Sequence, residues 1–147
     1  MPVRTQKYIT REDLRNNPDT IYVFGDNFVG RGYGGQAKSM RGEPNAFGIP
    51  TKWSPTEPLT RANIYKYHST RYAVDLVMQI IISRFYHLAL LADRGIDIVL
   101  PEDGLGTGLA DLEKNFPELD HYIKGAVRKL VEEYGVNVVN VPPPGSE

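Results

Sequence analysis

Thr20-Ile-Tyr-Val-Phe24, running into Gly25-Asp26-Asn27, is the stretch that decides the fold. Five β-branched or aromatic residues in succession favour an extended strand, and Gly25 ends it. The eleven residues from Gly25 to Gly35 contain five glycines, and Gln36-Ala-Lys-Ser-Met40 behind them can form a short helix. Strand, glycine loop and helix in that order make up one unit of an α/β sheet. A second unit starts at Ile96-Asp-Ile-Val-Leu100, which reads as a central strand. Pro101 stops it, and a loop with Gly104, Gly106 and Gly108 follows. Together the loops hold eight of the 14 glycines. Open α/β sheets bind ligands beyond the carboxyl ends of strands, where both loops fall.

The remaining chain fits around these units. Thr10-Arg-Glu-Asp13 has the form of a capping box, opening a short helix that ends near Asn16-Asn17-Pro18. Ala46 to Ile49 reads as a brief buried strand closed by Pro50, and residues 51–69 as irregular, with Pro55 and Pro58 opposing helix. Tyr72 to Arg94 is the longest predicted helix. It is apolar nearly all round, with Asp75, Gln79, Ser83 and His87 forming one narrow polar stripe, and the expectation is a largely buried helix ended by Gly95. Pro117 opens a last helix whose apolar face runs through Leu119, Ile123, Ala126, Val127, Leu130, Val131 and Tyr134. Val136 to Val141 reads as a final strand and 142–147 as a flexible tail. The expectation is one domain over 1–147, core about 8–141: a three-layer α/β fold with a mixed central sheet and helices on both faces.

Composition narrows the function. The 147 residues are 41% hydrophobic, enough for one sizeable core. There is no cysteine, which excludes disulfides, thiolate metal sites and cysteine nucleophiles. His68, His87 and His121 show no metal-ligand spacing, so no metal and no cofactor is expected. The N-terminus lacks the apolar run of a signal peptide, and the long apolar segment is interrupted by Asp75, Gln79, Arg84 and His87. The expectation is therefore a cytoplasmic protein without a membrane span. The net charge of −1 conceals a basic first half: residues 1–72 carry 11 Lys+Arg against 6 Asp+Glu, residues 73–147 carry 6 against 12. An anionic ligand suits the first half, although both halves can equally contribute solvated surface.

Glycine loops can turn backbone N–H groups inward as a nest for anionic oxygens, and a helix starting behind the loop adds its positive end. Tight turns alone would also use glycine. Neither familiar phosphate motif fits. No Lys-Ser or Lys-Thr follows the glycines as a P-loop requires, and Gly30-Arg-Gly32-Tyr-Gly34-Gly35 lacks the spacing of a dinucleotide fingerprint.

The combination Phe24-Gly25-Asp26-Asn27, Gly30, Gly34-Gly35-Gln36-Ala37 and Ile49-Pro50-Thr51-Lys52 resembles small bacterial and phage proteins related to macrodomains. Leu100-Pro101 with Gly104-Leu-Gly106-Thr107-Gly108-Leu109-Ala110 resembles the second phosphate loop of macrodomains. The resemblance covers roughly residues 20–141. It implies a macro-like fold and binding of ADP-ribose or a related nucleotide. In some members it further implies removal of ADP-ribose from an ADP-ribosylated protein or nucleic acid. It assigns Asn27 to the neighbourhood of the distal ribose. Gly25, Gly30, Gly34, Gly35, Gln36 and Ala37 fall to the first phosphate loop, and Gly104, Gly106, Thr107, Gly108 and Leu109 to the second. Asp111 stands where many macrodomains have glycine, and their early adenine-holding Gly-Asp-Ile element is absent.

Candidate catalytic groups are Lys52, Asp111 and Asp26, with Asp103 as a further carboxylate beside the loops. Lys52 is alternatively a plain cation, and Asp111 an N-cap. Arg31, Lys38 and Arg41 surround the first loop as phosphate partners or surface charges. Of Tyr65, Tyr67, His68 and Tyr72, one ring either stacks on a base or packs the irregular segment onto the core. Three functions remain open: a nucleotide-binding domain that hydrolyses ADP-ribosyl bonds, a binding module or sponge without chemistry, and an interaction protein without ligand.

Overall fold

The computed structural model describes residues 2–135. In chain order the elements are β1 (Val3–Gln6), α1 (Arg11–Asn16), β2 (Ile21–Asn27), α2 (Ala37–Met40), β3 (Ala46–Lys52), α3 (Arg61–Tyr67), α4 (Ala73–Asp93), β4 (Ile98–Pro101), a 3₁₀ turn (Gly108–Ala110), α5 (Leu112–Asn115) and α6 (Pro117–Tyr134). The sheet order is β1-β4-β2-β3. All pairs of these strands are parallel, where a mixed sheet is the sequence expectation. The expected strand 136–141 and tail 142–147 lie outside the described residues.

Strand alternation divides the core into two layers. Val23, Ile98 and Leu100 face one side with Val3, Phe47 and Ile49, and there α3 to α6 contribute Ile64, Ile81, Phe85, Leu112 and Ile123. Tyr22, Phe24 and Val99 face the other side, covered by Leu14 of α1 and by Ala37 and Met40 of α2. Helices thus cover both faces of the sheet, giving a three-layer α/β domain. Fully burying a Leu or Ile side chain contributes about 1.5–3 kcal/mol, so the sheet is fixed from both sides.

Several boundaries differ from the sequence reading: β2 does not end at Gly25 but runs on to Asn27, and β4 begins at Ile98 rather than Ile96 and includes Pro101. Val3 is fully buried and pairs with Ile98, so the core begins well before residue 8. The strand after α2 does not stop at Pro50 but runs to Lys52. Among the described strands β3 lies at the sheet edge and pairs only with β2, where a proline's missing N–H leaves no ladder bond broken. Residues 61–67, expected to be irregular, form α3, capped by Thr60, whose hydroxyl accepts the Asn63 N–H at 3.0 Å.

α4 also departs from expectation. It is long and apolar enough, by length and composition, to cross a membrane, despite its polar residues. One side packs into the core through residues such as Val74, Val77, Ile81 and Leu88. The other side is exposed, and its stripe includes Leu76, Ile80, Tyr86 and Leu90 beside the expected polar positions. The helix is therefore half-buried, not largely buried.

Polar contacts secure the α1 layer. The Thr10–Asp13 capping box is formed reciprocally. The buried Asn45 amide donates to the carbonyls of Leu14, Asn17 and Thr20 at 2.9–3.0 Å, tying the end of α1 and the start of β2 to the turn before β3. Glu43 receives Arg11 at 2.8 Å and Arg15 at 3.2 Å. Arg11 and Arg15 hold its carboxyl below the ordinary value of 4.5. A carboxylate with a depressed folded-state pKa adds stability that is present above its unfolded pKa and lost as pH falls through the folded value. Urea unfolding across the acid range should therefore show wild type losing more stability than Glu43→Gln below about pH 4.5. Parallel curves for the two proteins would remove Glu43 from the acid response.

Candidate functional site

The carboxyl ends of β2 and β4 open onto a single cleft. Ile21 pairs with Ile98 and Tyr22 with Val99, so the loops leaving these strands emerge side by side. The cleft has a volume of about 440 Å³, and residues of both loops line it: Gly25, Asp26, Asn27, Gly34, Gly35, Gln36 and Ala37 from the first, Gly106, Thr107, Gly108 and Leu109 from the second. Thr51, Lys52, Arg31, Arg41 and Asp103 complete the wall. Of the expected ligand-binding residues, Gly30 and Gly104 do not line it. Gly30 makes a turn, its N–H donating to the Asn27 carbonyl at 3.1 Å. Gly104 offers its carbonyl to Gln36.

Gln36 connects the two loops. Its side-chain oxygen accepts the Gly25 N–H at 2.7 Å, and its amide nitrogen donates to the Gly104 carbonyl at 3.0 Å. One side chain thus fixes the end of β2 against the loop after β4, 68 residues away. Asn27 acts within the first loop: it donates to the Arg31 carbonyl at 2.7 Å and is nearly buried. The side chain expected near a ribose is therefore engaged in shaping the loop.

Asp26 is engaged as well. Its carboxylate accepts the Asn27 N–H at 2.7 Å and pairs with the Arg41 guanidinium. Arg41 also donates to the Gly32 carbonyl at 2.6 Å and lies over the Phe24 ring. The close fit continues behind it: a Cβ on Gly48 would come within 2.6 Å of the Asp26 carboxylate. The Arg41 guanidinium and the Asn27 N–H thus hold the Asp26 carboxylate against the loop.

These contacts leave part of the loop backbone without hydrogen-bond partners. Among the described residues, the N–H groups of Gly34, Gly35 and Gln36 have no protein acceptor, nor do those of Thr107, Gly108 and Leu109. Gly106 is required by its surroundings: at φ +79 its Cβ would meet Leu112 at 2.6 Å. α2 has only four residues and no side-chain cap.

The catalytic candidates separate. Lys52 lines the cleft, its Nζ donating to the Pro55 carbonyl at 2.6 Å. Asp103 also lines it, and its side chain is exposed. Asp111 does not line it. It has φ +42 and ψ +52, and among the described residues it is the single non-glycine at positive φ. It stands at the N-cap position of α5, as one sequence reading expects, but its side chain forms no cap hydrogen bond. A glycine would hold that conformation without strain. Among the described residues no group of three or more His, Asp or Glu could hold a metal ion.

The aromatic segment packs on itself. Trp53 stacks with Phe28 at 5.5 Å and Tyr67 at 5.4 Å, and His68 meets it edge-on. Tyr67 also donates to Glu57 at 2.7 Å, which raises the Tyr67 phenol's pKa and lowers that of the Glu57 carboxyl. Tyr67 and His68 therefore brace the 53–68 segment. Tyr33, 64% exposed on the cleft wall, is the aromatic ring at the site, and sequence reading missed it because it sits among glycines in a phosphate-type loop.

Fold and site define an α/β domain with a two-loop, N–H-lined cleft at the carboxyl edge of a parallel sheet. The chain belongs to a family of unknown function, DUF7831, whose model matches residues 4–126. No curated protein and no solved structure matches it.

Replacing Gln36 by Leu leaves the Gly25 N–H and Gly104 carbonyl without their partner, which costs about 1–3 kcal/mol for part-buried groups. Urea unfolding should show that loss, with faster hydrogen exchange at the Gly25 amide. Unchanged exchange at Gly25 would mean that the bridge does not hold the loops. Asp111→Gly should leave stability unchanged or raise it by up to ~1 kcal/mol, since relief of αL strain is offset by glycine's entropy. A clear loss of stability would show that the aspartate side chain has a structural partner.

Proposed function

We propose that the cleft binds ADP-ribose or a closely related diphosphate nucleotide. The observation that carries this reading is the pair of glycine loops lining one cavity, six of whose N–H groups have no protein acceptor among the described residues. Inward-facing backbone N–H groups suit the oxygens of a diphosphate, and Arg31 and Lys52 add positive charge at the wall. The volume of about 440 Å³ lies in the range of small-molecule sites. The exposed Tyr33 ring offers a surface for stacking a base. The resemblance to macrodomains belongs to the same proposal, and a cytoplasmic setting fits the cysteine-free composition.

Hydrolysis of an ADP-ribosyl bond is a second reading, favoured by Lys52 and Asp103 sharing the cleft wall. Water would add to the anomeric carbon and lose its proton to Asp103, while the bond to the modified protein or nucleic acid breaks and the departing group takes up a proton. Lys52, with ammonium donors beyond the one given to Pro55, would stabilise charge on the nucleotide.

Calorimetric titration with ADP-ribose tests the binding. Gly34→Glu is the informative variant, because a Cβ there meets nothing within 4 Å and φ is not in the left-handed region. It should fold normally and bind roughly 30-fold more weakly, about 2 kcal/mol. No heat and no thermal stabilisation of wild type at millimolar ADP-ribose would overturn the reading. For catalysis, Lys52→Ala and Asp103→Ala should slow release of ADP-ribose from a modified substrate, while Asp111→Gly should not. Equal rates in all four proteins would leave a binding module without chemistry.

A further inference from the structure

We infer, resting on the nucleotide reading of the cleft, that a second pocket beside it receives a single-stranded nucleic acid. The strand sets a phosphodiester on Arg31, while a nucleotide joined to it occupies the cleft. Val29, Trp53, Pro55, Thr56, Tyr67 and His68 are among the residues lining this pocket, and its volume of about 640 Å³ lies in the range of small-molecule sites. Arg31 and Pro55 line both cavities, so the two adjoin along one ridge.

The ridge is held in place from several sides. Gly32, at φ +97, passes so near Pro55 that a Cβ would stand 3.2 Å from its ring. Lys52 Nζ donates to the Pro55 carbonyl at 2.6 Å. The nearly buried Asn27 holds the Arg31 backbone, donating to its carbonyl at 2.7 Å and accepting its N–H at 3.4 Å. The Arg31 side chain is left without a partner. Arg11, Arg15, Arg41 and Arg61 pair with carboxylates, whereas among the described residues the Arg31 guanidinium has neither a carboxylate nor a hydrogen-bond acceptor. An anchored arginine without a counter-ion, at the edge of a cleft suited to a diphosphate, matches a further phosphate of the same ligand.

The rest of the pocket fits what a phosphodiester carries. Val29, Pro55, Trp53 and Tyr67 give it apolar surface for a sugar and a base. Glu57, the carboxylate among its lining residues, accepts from Tyr67 and Ser54 and pairs with Lys66 at 3.7 Å, which offsets its charge. No glycine lines it, unlike the cleft, so it offers one cation rather than a nest of N–H groups. That favours a single phosphodiester over the diphosphate of a second ADP-ribose unit. With a net charge of −1 the chain lacks the basic surplus of a general nucleic-acid binder. Recognition of the strand therefore depends on the nucleotide it carries into the cleft.

Four probes test this by calorimetric titration: ADP-ribose, a short single-stranded DNA bearing ADP-ribose on its terminal phosphate, the same strand unmodified, and an ADP-ribose dimer. Wild type should bind the modified strand at least about 10-fold more tightly than ADP-ribose. The logarithmic salt dependence should also be steeper for that strand by about 0.7, the share of one single-strand phosphate contact. Arg31→Gln should bring the two affinities together and remove the extra slope. Val29→Glu, which sets a carboxylate in the pocket but not on the cleft wall, should abolish the gain for the strand and leave ADP-ribose affinity within about twofold. A modified strand that binds no more tightly than ADP-ribose overturns the proposal and leaves the nucleotide reading standing. A wild type that binds neither overturns both. The proposal also falls if the gain survives Arg31→Gln, appears with the ADP-ribose dimer but not the strand, or is matched by the unmodified strand.

Discussion

Pairing of Ile21 with Ile98 and of Tyr22 with Val99 is the constraint behind every feature of the site. It joins segments more than seventy residues apart and, because it is parallel, brings both strands to their carboxyl ends on the same edge. A parallel sheet is stable only when both faces are covered, and the alternation of Tyr22, Val23 and Phe24 supplies an apolar side chain to each. Turning β2 around relative to β4 would send the glycine loops to opposite ends of the sheet. The cleft is thus a consequence of strand direction before it is a consequence of loop sequence.

Within the loops, side chains and backbone divide the work. Asp26, Asn27, Gln36 and Arg41 bind one another or nearby backbone groups, and each such contact limits the conformations that a glycine-rich loop would otherwise sample. Loops rich in glycine lose more entropy on ordering than others, so these ties are what hold the loop backbone in one arrangement. Preorganisation of this kind reduces the ordering cost that binding must overcome. Asp26 and Asn27 therefore act on the shape of the loop.

Much of this was legible in the sequence. β2, β4 and α6 carry strong local signals, and the Thr10 capping box is formed as read. β1 was missed because Val3 is the lone fully buried residue in a polar four-residue strand; its burial comes from pairing with β4, which no local pattern reveals. α3 was missed because the prolines before it suggested continued irregularity, while its signal, Thr60 as cap, is a single residue. For the site, glycine positions located the cleft, whereas the roles of the carboxylates depended on tertiary neighbours. Asp26 and Asp103 look alike in sequence and are separated by tertiary surroundings, Arg41 and the Asn27 N–H holding the first while the second is exposed.

α4 shows the same limit from the opposite direction. Its sequence is apolar nearly all round, and periodicity finds the polar stripe but cannot say how wide the exposed face is. Only the sheet, by claiming Val74, Val77, Ile81 and Leu88, shows that Leu76, Ile80, Tyr86 and Leu90 point away from the core. A helix needs about a 100° apolar stripe to pack on one sheet, and α4 carries more than that. Exposed leucine and isoleucine add nothing to the packing of the fold.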